Sequence, residues 1–295
     1  MGTVYKAVCA DNTKDESALS ARDCAAIKAV SIARIRRLGI VKYIQTEIAI
    51  MRRLNHPNII RIHRTMLSPR HLYIAMEYCH EDLKTRITNE GAPGSAVSKR
   101  YFRDILKGLE HCHSHNVAWR DAKPENLLIS DTDTLKICDF GFSRALLRVP
   151  GSGSTKYERC TSLVGTLDYV APEVLVEEDG GYDAILADIW SIGCVLLVML
   201  TGKLPGHISI YEDSDAELVE LSEDSSLFEN FEKVHEIKDF DIDIEPSSIP
   251  QIFDSRYFAN LSEDEKDVVK SMINRVPEER PSLGAILNFP WVRLA

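Results

Sequence analysis

The chain has 295 residues, enough for one large domain or two lobes with a sizeable core, and its 44% hydrophobic and 27% charged residues are those of an ordinary globular protein. A net charge of −10 argues against a nucleic-acid backbone as partner. Seven cysteines stand singly, never as Cys-x-x-Cys, and the longest apolar run, 192–200, is too short to span a bilayer. The expectation is a reduced intracellular protein of the cytoplasm, or alternatively the nucleus, with no nucleic-acid or membrane partner.

In chain order, the alternation over 4–8 predicts a strand, a polar loop 11–23 follows, and 24–30 predicts a second strand. Ile35, Leu38, Ile40, Ile44, Ile48 and Met51 recur at roughly helical spacing and predict a helix over 35–54, stopped by Asn55-His56-Pro57-Asn58. Two further strands are predicted at 59–62 and 72–78. The remainder is mostly helical, with helices predicted at 98–113, 188–200 and 263–273. Two other segments stand out as insertions. The stretch 147–160 contains Gly151-Ser152-Gly153-Ser154, and 211–226 carries seven acidic residues in sixteen. The acidic run reads as a solvated loop, with docking of basic partners as the alternative.

The chemistry concentrates in 119–141. Trp119-Arg120-Asp121-Ala122-Lys123-Pro124-Glu125-Asn126 precedes a short apolar hairpin and Asp139-Phe140-Gly141. Phosphoryl transfer from ATP needs a carboxylate to orient the attacking hydroxyl, oxygen ligands for Mg²⁺, and a cation near the transferred phosphate. Asp121, the pair Asn126 and Asp139, and Lys123 supply these in turn. The segment resembles the catalytic loop and metal-binding segment of eukaryotic protein kinases, most like the calcium/calmodulin-dependent group. Departures are Trp119 where the family usually has His, and Ala122 where it has Leu.

The resemblance extends along the whole chain. It implies an α+β, two-lobed fold with a small antiparallel-sheet N-lobe (1–78, its first strand missing) and a mainly helical C-lobe (79–295). Lys28 in Ala25-Ala26-Ile27-Lys28 matches the lysine on the α- and β-phosphates, and Glu47 its anchoring acid. By the same match Gly2, Val4, Ala26, Lys28, Glu47, Met76, Glu77, Cys79, Asp82, Glu125 and Leu128 are candidates for the ATP site. Asp121 and Lys123 are the catalytic candidates, with Asn126 and Asp139 for Mg²⁺. Gly165-Thr166 through Ala171-Pro172-Glu173 resembles the substrate-docking loop, Asp188 the anchor of the catalytic loop, and Arg280 the ion-pair partner of Glu173. Lys123 and Gly165-Thr166 resemble serine/threonine enzymes. Glu125 and Asp82 suggest basic residues upstream of the acceptor, unless Asp82 meets only the ribose. Arg120 is the expected receptor of a phosphate on Ser162 or Thr161, added by an upstream kinase or by the chain itself.

Of the glycine-rich loop only Gly2-Thr3-Val4 is present, so the expectation is a fragment whose start lies upstream. Two readings follow. The first is a Mg²⁺- and ATP-dependent serine/threonine protein kinase acting on protein substrates. The alternative is a pseudokinase serving as a binding or scaffolding module. Other features read as structural: His111-Cys112-His113-Ser114-His115 cannot easily converge on one metal from consecutive helical positions. Cys138 is a small buried side chain beside the ATP site. Trp119 is expected in a column with Met51, Ile62 and Phe140.

Overall fold

The computed structural model describes residues 3–8, 24–149, 157–176, 180–203, 253 and 256–293. Gly2, the loop 11–23, the Gly-Ser stretch 151–154 and the acidic run 211–226 lie outside the described residues. The chain divides into two compact units, Met1–Lys203 with Leu261–Ala295, and Leu204–Asn260.

The first unit opens with a four-stranded antiparallel sheet in the order β1 (Thr3–Val8), β2 (Cys24–Ser31), β4 (His71–Glu77), β3 (Ile62–Leu67). Its register pairs Val4 with Lys28 and Lys28 with Ile74, and Lys6 with Ala26 and Ala26 with Met76. Residues opposite each other on a ladder share a face and successive residues alternate. Val4, Ala26, Lys28 and Met76 therefore lie on one face, and Glu77 on the other.

The helix predicted over 35–54 is two helices, α1 (Ile32–Arg37) and α2 (Val41–Arg53). Gly39 adopts φ 65° between them, a left-handed conformation that glycine takes without steric cost. Ile35 and Ile44 still cluster with Val30 across the break, with Ile32, Ile40, Ile48 and Leu72 packed around them. The apolar period thus survives while the helix axis does not. The strand predicted at 59–62 is also displaced, because β3 begins at Ile62. Ile59 and Ile60 are buried, and Ile60 N–H donates to Ile137 O at 2.9 Å while Ile137 N–H donates to Asn58 O at 2.9 Å. These apolar residues are taken by the strand Leu135–Ile137 instead of the first sheet.

Beyond the sheet, β5 (Glu81–Asp82) leads into α3 (Leu83–Glu90) and α4 (Ser95–Ser114). β6 (Val117–Ala118) pairs with β9 (Arg144–Ala145), and β7 (Leu127–Ile129) lies between β5 and β8 (Leu135–Ile137). Pro172–Leu175 form α5, and α6 (Ala184–Thr201) is apolar on all sides, as a central core helix must be. α6 is long and apolar enough to cross a membrane, but 78% of it is buried inside the fold. Ser98 Oγ of α4 donates to Met199 O of α6 at 3.1 Å.

In the second unit, α7 (Arg256–Ala259) carries Phe258, whose ring meets Phe253 edge-on at 5.0 Å. The first unit closes with α8 (Glu263–Met272), α9 (Leu283–Ile286) and α10 (Pro290–Arg293). A capping box between Ser262 and Glu265 starts α8, which packs on α6.

Candidate active site

The loop after β6 is held by one carboxylate. Asp188, wholly buried in α6, accepts from Trp119 N–H at 2.9 Å and Arg120 N–H at 2.7 Å, and contacts His113 Nε2 at 2.8 Å. A buried carboxylate without such donors would be expensive, so the three bonds fix the loop and satisfy the charge together. Arg120 sits at φ 68°, a left-handed conformation uncommon for a residue with a Cβ.

Asp121, only 5% exposed, is the hub of the site. Thr166 Oγ1 donates to its Oδ1 at 2.9 Å and accepts from Lys123 Nζ at 2.9 Å. Lys123 Nζ lies 3.3 Å from Asp121 Oδ2. Asn126 Nδ2 donates to that same oxygen at 2.7 Å and to Asp121 O at 2.9 Å. Burial pushes the Asp121 carboxyl up, and Lys123, Thr166 and Asn126 only partly oppose it. The result is a carboxylate primed to take a proton, as a group orienting a hydroxyl requires.

Across the site, Lys28 Nζ pairs with Glu47 of α2 at 3.0 Å. Burial acts to lower the Lys28 pKa, but Asp139 and Glu47 outweigh it and raise it, so the ammonium stays charged. Asp139 sits at φ 52° and accepts from Gly141 N–H at 3.1 Å. Cys138 N–H donates to Asn126 O at 2.9 Å, which places the segments carrying Asn126 and Asp139 side by side. Trp119 Nε1–H is shared between Cys138 O and Asp139 O, at 3.1 Å each. Trp119, Phe140 and Met51 are buried and Ile62 is half-buried. Burial also drives the Cys138 thiol well up, so it carries no thiolate at neutral pH.

The remaining candidates divide. Val4, Ala26 and Met76 share the Lys28 face of the sheet, and Leu128 pairs with Asp82 across β5 and β7. Glu77, on the opposite face, pairs with Lys136 at 3.0 Å. Burial raises Cys79 to about 12. Both Asp82 oxygens are committed to Thr85, its N–H and its hydroxyl at 2.8 Å each, as the N-cap of α3. Glu125 pairs with Lys84 at 2.9 Å, while its buried Oε2 has no hydrogen-bond partner among the described residues. Arg120 Nη1 donates to Ser162 Oγ at 2.8 Å and to Tyr182 OH at 3.2 Å; Thr161 is exposed. Arg280 grips Glu173 at 2.6 and 2.7 Å.

Partners that escape sequence reasoning include His113 on Asp188, Tyr182 on Arg120, Lys136 on Glu77 and Lys84 on Glu125. The first sits in a histidine run that reads as uniform; only its position at the end of α4, facing α6, separates it from its neighbours. His111 and His115 instead meet as tilted rings with centroids 4.2 Å apart, and no group of three or more His, Cys, Asp or Glu side chains able to hold a metal ion occurs among the described residues.

The sequence profile described as protein kinase domain matches residues 1–292. The chain is 35% identical over 275 residues to CBL-interacting protein kinase 26 of Oryza sativa subsp. japonica, covering 93% of this chain and 48% of the relative. It is 32% identical over 276 residues to CBL-interacting protein kinase 11 of the same organism, at 93% and 47% coverage. Over 184 residues it is 38% identical to CBL-interacting serine/threonine-protein kinase 10 of Arabidopsis thaliana, covering 62% and 37%. The chain thus spans about half the length, or less, of these curated relatives.

Proposed function

The chain belongs to the protein kinase family, and from that premise we propose that it transfers the γ-phosphate of ATP to serine or threonine hydroxyls of proteins. The observation that carries this reading is the bonded set Asp121–Thr166–Lys123–Asn126. Asp121 receives the acceptor hydroxyl and its proton, and Thr166 fixes the carboxylate's orientation. Lys123, one hydrogen bond from Thr166, meets the charge that builds on the transferred phosphoryl group. Lys28 takes the phosphates of the bound nucleotide and is held in place by Glu47.

The donor set fits a divalent cation. Asp139 would supply an acidic oxygen ligand, and Asn126 spends its Nδ2 on Asp121 while its Oδ1 accepts no hydrogen bond from a described residue. Mg²⁺ at these two residues would neutralise phosphate oxygens during transfer.

Substrate choice follows from Glu125, whose unpartnered Oε2 suits the guanidinium of an arginine upstream of the acceptor. Asp82 is spent on capping α3, so the preference rests on Glu125. For regulation, a phosphate on Ser162 would sit against Arg120 and draw the segment toward the catalytic loop. Ser162→Ala is expected to lower activity; activity unchanged from wild type in both Ser162→Ala and Thr161→Ala would mean the loop is ordered without a phosphate.

Radiolabelled ATP with an arginine-containing serine peptide tests the whole reading. Transfer is expected, and Asp121→Asn should abolish it. A wild-type chain that binds Mg²⁺–ATP in a thermal shift yet transfers nothing would make it a binding module.

A further inference from the structure

The overall acidity of the chain hides a strong asymmetry. Residues 24–78 carry ten lysines and arginines against two acidic residues, Glu47 and Glu77. Both acids are engaged, by Lys28 and Lys136 at 3.0 Å each. Arg34, Arg36, Arg37, Arg61, Arg64 and Arg70 make no ion pair with a described residue.

The four-stranded sheet also has an unusual outer face. Opposite the Lys28 side, the register aligns Tyr5 with Ile27, Ile27 with Ala75, and Ala75 with Arg64. The next row is Thr3, Ala29, Tyr73 and Met66. An antiparallel sheet that turns one face to water alternates polar residues there; this face is mostly alanine, isoleucine, methionine and tyrosine. Tyr5, Ile27, Met66, Leu67, Ser68 and Tyr73 line an open cleft of about 490 Å³. Tyr5 is 56% exposed, Met66 40% and Leu67 76%. Arg64 shares the face, and Arg70 lies at the β3–β4 turn, where its carbonyl accepts from Ile32 N–H at 2.9 Å and brings α1 alongside.

We propose that this cleft docks an acidic amphipathic helix of a partner protein, independently of phosphoryl transfer. The cleft runs from the first strand of the sheet to the last, three inter-strand steps of roughly 4.8 Å each. About three turns of helix cover that distance, with apolar side chains at i, i+3, i+4 and i+7 facing the tyrosines and Leu67. Its acidic residues meet the arginine rim, which would repel a basic helix. A strand would add at a sheet edge and leave the cleft open, so a helix fits the face better.

The test uses the full chain and a fluorescein-labelled synthetic helix about 18 residues long, with leucines at that spacing and glutamates elsewhere. A second peptide carries lysines in place of the glutamates. Fluorescence anisotropy is expected to show the acidic peptide binding at least about tenfold more tightly than the basic one. Met66→Ser with Leu67→Ser, and separately Arg64→Glu with Arg70→Glu, should each weaken it by about tenfold or more. All four residues lie at the surface, and an unchanged melting temperature confirms that the variants fold. Equal binding of the two peptides, or acidic-peptide affinity untouched by the arginine reversals, overturns the proposal. So does sedimentation with phosphatidylserine vesicles in preference to the peptide. Self-association of the chain that the cleft variants abolish, with no peptide bound, assigns the face to a second copy and equally overturns it.

Discussion

One indole N–H serves two carbonyls at Trp119, both on the segment that carries Asp139. An aromatic ring at this position is legible in the sequence, but its bonds are not, since they depend on residues 138–139 folding back against it. Trp119→Phe keeps most of the ring and strands the carbonyls; the expected cost is about 1–2 kcal/mol in urea denaturation. Trp119→His should destabilise by opening space in a closed core. Because Ala122 is also buried, adding Ala122→Leu should restore part of the melting temperature. The role proposed for Asp121 sets the expected pH dependence. Its raised pKa means that its contribution to folding is fully present below the ordinary carboxylate range and is lost as pH rises through the folded value. Transfer needs the ionised form, so the acid limb of the kcat profile should lie above the usual aspartate range. Thr166→Val removes a hydrogen bond to the charged form and should move that limb further up; a downward move would count against Asp121 as the titrating group. For Lys28 the raised pKa puts any loss of stability above the ordinary lysine range, outside physiological pH. Lys28→Met is expected to reduce transfer by about a thousandfold while the chain stays folded at neutral pH.

Among the elements, α4 illustrates how a buried helix positions chemistry it does not perform. A Cβ on Gly108 would lie 2.8 Å from Asn58 O and 2.9 Å from Ile137 Cδ1. Asn58 also bonds β8 through Ile137 N–H and through its own Nδ2 to Leu135 O at 3.0 Å. Gly108→Ala must therefore push α4 away from both the 56–58 turn and the strand that ends at Ile137. The expected loss is about 1–3 kcal/mol of stability by chemical denaturation. Helices α4, α6 and α8 are readable from periodicity to within a few residues at either end. The division between α1 and α2 is not, because the apolar spacing runs through Gly39 unchanged. The shift of β3 has a similar origin: Ile59 and Ile60 look like strand residues in sequence, and only the approach of β8 decides which strand receives them.

At the scale of the whole molecule, Arg280 and Glu173 join segments more than a hundred residues apart through two short bonds. Arg280 is fully buried at its side chain, so Arg280→Ala leaves the Glu173 carboxylate without its partner in a largely enclosed place. The expected loss is about 3–5 kcal/mol, little changed by added salt because the pair is shielded from solvent. A loss that shrank as salt was added would identify the pair as a surface contact. The sequence by itself determined the family, the succession of a strand-rich and a helical part, and the residues gathered about Asp121. Those are encoded in short motifs and in local periodicity, which need no knowledge of distant contacts. Only the tertiary structure decided how each polar side chain is spent: Asp82 on capping α3, Glu125 on Lys84, His113 on Asp188. It also decided that the basic, apolar outer face of the sheet lies open. Alternation along a strand shows that two faces differ, whereas what covers each face depends on how the rest of the chain closes over it.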